Sequence, residues 1–458
     1  KIAILLSLIV FCLAQNNPIN NQSAVFEQIS VVPQQNIVID IEHSQLHNDS
    51  FISLSEYLKE NKDNIFNSQN GDSNYDELLD CPVEIGCQET DGFMASGKPH
   101  HLVWYGQTYP HGRDLKADIQ KIVEYISDVM GGVPYDQYVF MTHFKPNLYG
   151  GLEHSNSTAL HFDGRKLIKD ETYLQWLCLV SHEYFHTWNI KRIRPKELGP
   201  FDYTNENYTS MLWLVEGLTS FVDELFVYQA GLCNLDDYFK MQKKNFERYF
   251  QTPGRKFDSL EQSSFDAWIK LYRPDENSRN STVSYYLKGG LVFSVLNIFY
   301  HQQGVSFQKF LKELWQKHLD RPAVGLEKNE VLDIIQSQIG ESAAQEFDQM
   351  LATTIEIDFE KYYNDIGIEF VWKENTSPYL GAVLKNQEGK LICESIELDS
   401  PAHQYGLNAG DEIIALNGQR VGLQEFNSLG DMVKVNQTYQ LMISRLGEIQ
   451  ELPLVFGT

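Results

Sequence analysis

The sequence predicts an α+β protein, and three observations predict it. The runs HHLVWYG at 100–106 and QYVFMTHF at 137–144 are short, rich in aromatic and β-branched residues, and read as strands. Between them DLKADIQKIVEYISDVM, 114–130, repeats its apolar residues at helical spacing, and from Thr172 onward long helical patterns dominate. After Asn364 short β-like runs separated by glycine turns return: LGAVL, KLICESIE, DEIIALNG and YQLMISRL. These shifts divide the 458 residues into a segment 1–14, an acidic region 15–90, a main domain 91–365 and a smaller β-rich domain 366–458.

The first stretch, KIAILLSLIVFCLAQ, places one lysine ahead of an apolar run from Ile2 to Leu13 that stops at the small residue Ala14, the pattern of a secretory signal peptide. A buried strand is the competing reading. A signal peptide puts the mature protein in a secreted or lumenal setting, lysosomal and vacuolar compartments included. Sequons beginning at Asn21, Asn48, Asn156, Asn207, Asn280, Asn375 and Asn436 suit that route as glycosylation sites. No later apolar run approaches the ~18–20 residues of a membrane span; the longest, Gly289–Tyr300, reads as a core helix, so a soluble mature protein is expected. Residues 15–90 hold 13 acidic and 2 basic side chains and too few apolar ones for a large core of their own. Cys81 and Cys87 are spaced to close a small disulfide loop, with two free thiols the alternative, and no cysteine spacing makes a zinc knuckle. The net charge of −25 repels phosphates and excludes nucleic acid and anionic membranes as partners.

The segment that carries chemistry is ETYLQWLCLVSHEYFHTWNIKRIRP, 171–195, with His182-Glu183-Tyr184-Phe185-His186 inside it. On a helix, residues i and i+4 share a face, so both imidazoles can reach one cation while Glu183 leans over the same site. Zinc suits such a set, with an open position left for water. The flanking Leu174, Leu177, Cys178, Val180 and Phe185 make the helix strongly apolar, which argues against three ionisable groups on a solvated face. The bland alternative is a pair of core histidines bonded to carbonyls, with Glu183 at a helix edge.

A catalytic zinc needs a third protein ligand. A metzincin would carry glycine three residues after His186 and histidine six after; Asn189 and Arg192 stand there, which excludes that class. Glu197 is too near the end of the first helix to fold back, and Glu206 lies in a Tyr/Asn/Thr-rich loop. Glu216 fits better, because it sits in the apolar helical pattern MLWLVEGLTSFVDELFVYQAGL, where an unpartnered carboxylate is costly to bury. Spacing alone favours Glu216 and leaves Glu206 open. Asp223, on the same pattern, either orients a ligand imidazole or is a solvated helix charge. Arg192 and Arg194 either position peptide carbonyls or pair with acidic neighbours.

HEYFHTWNIKRIRP followed by WLVEGLTSFVDEL resembles the glycyl aminopeptidase family of zinc metallopeptidases, relatives of the aminopeptidase-N group. Two further blocks extend the resemblance: YGGLEHSNST at 149–158, which is similar to that family's GGLEH motif, and SYYLKGG at 284–290, which is similar to its Tyr-x-Lys-Gly signature. It runs weakly upstream through YDELLDCPVEIG at 75–86. The resemblance implies a thermolysin-like catalytic domain with a helical extension, and one zinc ion held by His182, His186 and Glu216. It further implies Glu183 as general base, Tyr286 as donor to the developing oxyanion with Tyr285 the fallback, and Glu153 as anchor of the substrate's free α-ammonium. Without it, Glu153 is a turn residue in a glycine-rich loop. The family also carries a β-rich amino-terminal domain ahead of this block, where the present chain has only the polar region 15–90. SPYLGAVL and DSPAHQYGLNAGDEIIALNGQRV resemble a PDZ domain, with Tyr379-Leu380-Gly381-Ala382 where a carboxylate-binding loop would lie. Such a domain either accepts a peptide on its sheet edge or packs as a fixed part of the molecule. The expected activity is release of small amino-terminal residues, glycine or alanine, from peptides with a free amino terminus. The rival readings are an inert peptide-binding protein and a zinc endopeptidase.

Overall fold

The computed structural model describes residues 28–31, 37–40, 76, 80–86, 88–373, 376–428 and 433–457. The expected signal peptide, the sequons at Asn21, Asn48 and Asn375, and Cys87 lie outside them. Cys81 is a thiol, pushed up to about 12 by burial and then by the neighbouring Asp80 charge. Among the described residues no helix is long and apolar enough to cross a membrane. The chain forms two compact units: Lys1–Asn207 with Val222–Phe239 and Gln308–Val331, and Tyr208–Phe221 with Lys240–Phe307 and Leu332–Thr458.

In the first unit, β1 (Gln28–Val31) pairs antiparallel with β2 (Ile37–Asp40), and β2 pairs parallel with β3 (Val83–Gly86). A second sheet holds β4 (Glu89–Ala95), β5 (Lys98–Gly106), β6 (Tyr138–Phe144), β7 (Tyr149–Glu153) and β8 (Ser157–Phe162) in the order β4-β5-β6-β8-β7. The β4–β5 hairpin turns on Ser96 and Gly97, both at positive φ, as a tight two-residue turn requires. β5 and β6 run parallel, so the chain needs a crossover, and helix α1 (Leu115–Met130) supplies it. Asp114 caps α1 by accepting from the Ala117 N–H, and Gly131 ends it in the left-handed conformation. Its buried face, Ile119, Ile122, Val123, Ile126 and Met130, has the spacing read from the sequence.

Helix α2 (Asp170–Phe185) follows β8 and buries Trp176 against Phe144 and Phe162 of the sheet, at ring-centroid distances of 5.2 and 5.4 Å. Among the described residues β7 is an edge strand, paired on one side with β8.

A π-helical turn (Trp213–Gly217) of the second unit leads directly into helix α3 (Leu218–Gln229), which from Val222 on belongs to the first unit. Helix α4 (Tyr285–Gln302) is apolar nearly all round and buried, as the run Gly289–Tyr300 predicted. The carboxyl-terminal sheet is ordered β14-β13-β11-β10-β9, with β12 (Gln419–Arg420) on β11. β9 (Ala382–Gln387), β10 (Lys390–Ile396), β11 (Glu412–Leu416) and β13 (Thr438–Arg445) correspond to the four β-like runs, and β14 (Glu448–Val455) completes the sheet. Leu391, Cys393, Ile413, Leu441, Ile443 and Leu454 form its core. Within the same unit the Asn280 carboxamide donates to the Ile396 carbonyl at 2.7 Å and accepts from the Leu398 N–H at 2.8 Å. The expected glycosylation site at Asn280 is thus a docking contact for this sheet.

Candidate active site

The HExxH segment occupies the last turn of α2, with His186 as its C-cap. Leu177, Leu179, Val180, Tyr184 and Phe185 are buried, so packing fixes the rotation of the helix about its axis. Tyr184 adds a polar anchor: its hydroxyl meets those of Tyr135 and Ser127, and His100 Nε2 lies 2.9 Å from the Tyr135 hydroxyl.

The two imidazoles sit 4.6 Å apart, centroid to centroid, and nearly perpendicular. His186 Nδ1–H donates to the Asn189 carbonyl at 2.7 Å. A carbonyl only accepts, so Nδ1 carries the proton and Nε2 holds the lone pair. His182 Nδ1–H donates to Asp223 Oδ2 at 2.8 Å, which selects the same tautomer. Burial raises the Asp223 carboxyl above its ordinary range, a rise that the His182 N–H opposes. Of the two sequence readings of Asp223, the solvated helix charge is excluded, because the carboxylate is buried and bonded to His182. The Asn189 carbonyl is aimed by a strained turn, because the next residue, Ile190, lies at φ 111°, where a β-branched side chain is disfavoured.

Glu183 is buried beneath the edge strand β7. A Cβ added to Gly151 would stand 2.2 Å from Glu183 Oε1, so the glycine is what lets the strand pass over the carboxylate. Glu153, expected in a glycine-rich loop, is instead the last residue of β7, in register with Thr158. The glycines read as loop formers, but Gly151 serves this close approach. Ligand atoms of Glu153, Glu183 and His186 lie within 4.8 Å of one another. Two carboxylates beside an imidazole make a strongly anionic pocket suited to a cation, whether ammonium or metal.

Among the described residues Arg192 bonds to backbone and not to an acid: it donates to the carbonyls of Thr187 at 2.6 Å, Pro134 at 2.9 Å and Ser155 at 3.0 Å. Arg194 likewise donates to the carbonyls of Gly199 and Ala323.

In the second unit, Glu216 lies in the π-helical turn, a distortion that often marks functional positions. The same continuous helix carries Asp223 about two turns further on. Gly217 of the turn meets Gly289 of α4 so closely that a Cβ on either would stand 2.8 Å from the other's Cα. Tyr285 and Tyr286 stack at 4.9 Å. Tyr285 is fully buried, whereas Tyr286 is half-buried. Burial first, then the Glu216 charge, pushes the Tyr286 phenol far up, so it stays protonated and a donor at neutral pH. Burial pushes the Tyr285 phenol far up as well, so exposure alone separates the two, and Tyr286 is the less buried.

Residues 175–292, which hold both histidines, Glu216 and the tyrosine pair, match the M61 glycyl aminopeptidase family. This segment belongs to that family. Residues 378–454 match a PDZ domain. An aminopeptidase N family protein from Idiomarina loihiensis shares the fold, with a TM-score of 0.78 at 28% identity over 84% of this chain and 70% of that one. An M1 zinc metallopeptidase from Deinococcus radiodurans matches at a TM-score of 0.41 and 16% identity, over 59% of this chain and 53% of that one. No curated protein matches in sequence. The M61 segment makes the protein a peptidase, of the metallo-aminopeptidase type.

Sequence reasoning left the role of Asp223 open and missed Gly151 and the Asn189 carbonyl. A carboxylate in an apolar helical pattern and a glycine inside a strand were the signals available.

Proposed function

We propose that the protein is a zinc aminopeptidase that releases small amino-terminal residues, glycine or alanine foremost, from peptides in a secreted or lumenal setting. The observation that carries the reading is the pair of α2 imidazoles, each with Nδ1–H committed to an acceptor and Nε2 as the lone-pair nitrogen, beside Glu183 under an edge strand. That donor chemistry fits zinc. His182, His186 and Glu216 would hold one ion per chain. When bound, zinc supplies Lewis acidity and lowers the pKa of its water toward ~7.

The remaining work falls to the chain's own groups. Glu183 accepts the proton of the attacking water and passes it to the departing amine. The edge of β7 that pairs with no other described strand receives the peptide backbone as an added strand, and Glu153 at its end binds the α-ammonium. Tyr286 donates its O–H where negative charge develops on the scissile carbonyl oxygen. The preference for small residues rests on the family resemblance.

The test is hydrolysis of Gly- and Ala-terminated peptides and their N-acetylated counterparts, with and without chelator. Turnover should vanish with chelator and with acetylation, and Glu183→Gln should lower kcat by ~10²–10⁴-fold. Metal analysis separates the carboxylates: Glu216→Gln should lose zinc, whereas Glu153→Gln should keep it and raise KM. Cleavage of acetylated peptides would favour an endopeptidase, and bound zinc without turnover would favour the inert peptide-binding protein.

A further inference from the structure

We propose that Asp80, delivered by the YDELLD block of the acidic amino-terminal region, is a positioning residue for amine recognition: it pins the turn after Glu153 to the segment that follows α2. The inference rests on the reading of Glu153 as the ammonium anchor. Asp80 accepts from three sources. His154 Nδ1–H donates to Oδ1 at 3.3 Å, the Ser155 backbone N–H to Oδ2 at 3.3 Å, and Lys191 Nζ to Oδ1 at 2.6 Å. The Ser155 hydroxyl adds a longer contact at 3.5 Å. Burial works to raise the Asp80 carboxyl but is outweighed by His154 and Lys191, so it lies below its ordinary value and is ionised at neutral pH.

The geometry makes this carboxylate a clamp. His154 and Ser155 directly follow Glu153, and the hairpin itself is closed by the His154 N–H to the Ser157 carbonyl at 2.9 Å and by Thr158 Oγ1 to the Leu152 carbonyl at 3.1 Å. Those bonds shape the turn but do not tie it to α2. Asp80 does so through Lys191, five residues beyond His186, and Arg192 does so through the Ser155 carbonyl. The turn is thus held between a carboxylate and a guanidinium, each bonded to the segment that trails the HExxH helix. An edge strand has a neighbour on one side only, so its terminal residue needs such a clamp to keep a fixed place. A displacement of about 1 Å in a substrate-positioning group can cost ~10²-fold in rate. Through Asp80 the amino-terminal region therefore contributes to substrate recognition at one remove, by way of the turn after Glu153.

The experiment compares wild-type, Asp80→Asn, Glu153→Gln and the double variant in the full chain, on alanyl p-nitroanilide, with zinc content and thermal midpoint measured in parallel. Asp80→Asn should raise KM about tenfold while kcat stays within about threefold and zinc content is unchanged. On the Glu153→Gln background the same change should add less than about twofold to KM, because Asp80 acts through Glu153. The inference is overturned if Asp80→Asn leaves KM unmoved, if it multiplies KM equally on both backgrounds, or if it lowers kcat and thermal midpoint with KM constant. Should Asp80→Asn not fold, Lys191→Gln carries the test, with a smaller KM rise expected and the same refuting outcomes. Absence of turnover in the wild type, or a Glu153→Gln variant with unchanged KM, overturns the underlying reading and the inference with it. Failure of Asp80 alone shows as a KM effect in Glu153→Gln and none in Asp80→Asn.

Discussion

Adjacent glycines in the SYYLKGG block should respond oppositely to the same substitution. The turn that carries Glu216 crosses the helix that carries Tyr286 backbone to backbone: a Cβ on Gly289 would stand 2.8 Å from Gly217 Cα, where ordinary contact begins at 3.4 Å. Gly289→Ala must therefore open the crossing by 3.4 − 2.8 = 0.6 Å or more, and the atom it meets is backbone, which cannot rotate away. Overpacking of this kind costs about 1–3 kcal/mol. For a compact unit of this size that is a fall of roughly 2–12 °C in thermal midpoint. The same displacement moves the Tyr286 hydroxyl relative to Glu216, and kcat should fall at least about tenfold. In Gly290→Ala the new methyl meets Phe221 N and Ser220 Cβ at 3.6 Å, ordinary contacts, and the helix gains up to about 1 kcal/mol of propensity. That variant should keep its activity and match or exceed the wild-type midpoint. Scanning fluorimetry and turnover of an alanyl substrate read both effects, and a Gly289→Ala variant as stable and as active as Gly290→Ala would refute the argument.

Three further substitutions probe the remaining contacts. Lys288 is fully buried in α4 without a hydrogen-bond partner for its ammonium among the described residues, and burial, opposed by Glu356 and Asp258, lowers it from 10.5 to about 8. The folded state then binds fewer protons than the unfolded one between those values, so the penalty, of order 2.5 × 1.36 or about 3 kcal/mol, is full below pH 8 and relieved as pH rises toward 10.5. Lys288→Met should raise the thermal midpoint at pH 7, and its advantage should shrink above pH 8; an advantage constant with pH would contradict the burial account. Asp223→Asn removes the carboxylate that orients His182 and should weaken zinc about 10–100-fold in a chelator competition, whereas unchanged affinity would make the contact incidental. Gly151→Ala places a methyl 2.2 Å from Glu183 Oε1 and should cut kcat by about 100-fold or more with zinc content intact; full activity would mean that the edge strand moves freely.

What sequence alone made legible is what repeats along the chain. The i, i+4 histidines, the amphipathic face of α1 and the short β-like runs of β9, β10, β11 and β13 are local patterns, and the structure contains each of them. What stayed hidden depends on partners far away in sequence: Asp223 lies 41 residues from His182 and Asp80 lies 111 from Lys191, so a buried orienting acid and a surface charge look alike until the chain folds. The glycines sharpen the point. Gly150 and Gly151 suggested a loop because glycine is permissive, yet Gly151 occupies a regular strand, and its lack of a side chain is used by Glu183. Gly217 and Gly289 serve each other in the same way. In all three places the missing side chain belongs to the neighbouring element, Glu183 under β7 or the turn of Glu216 against α4. A glycine inside a regular element beside a catalytic motif therefore reads first as a mark of close approach, and as flexibility only after that approach has been excluded.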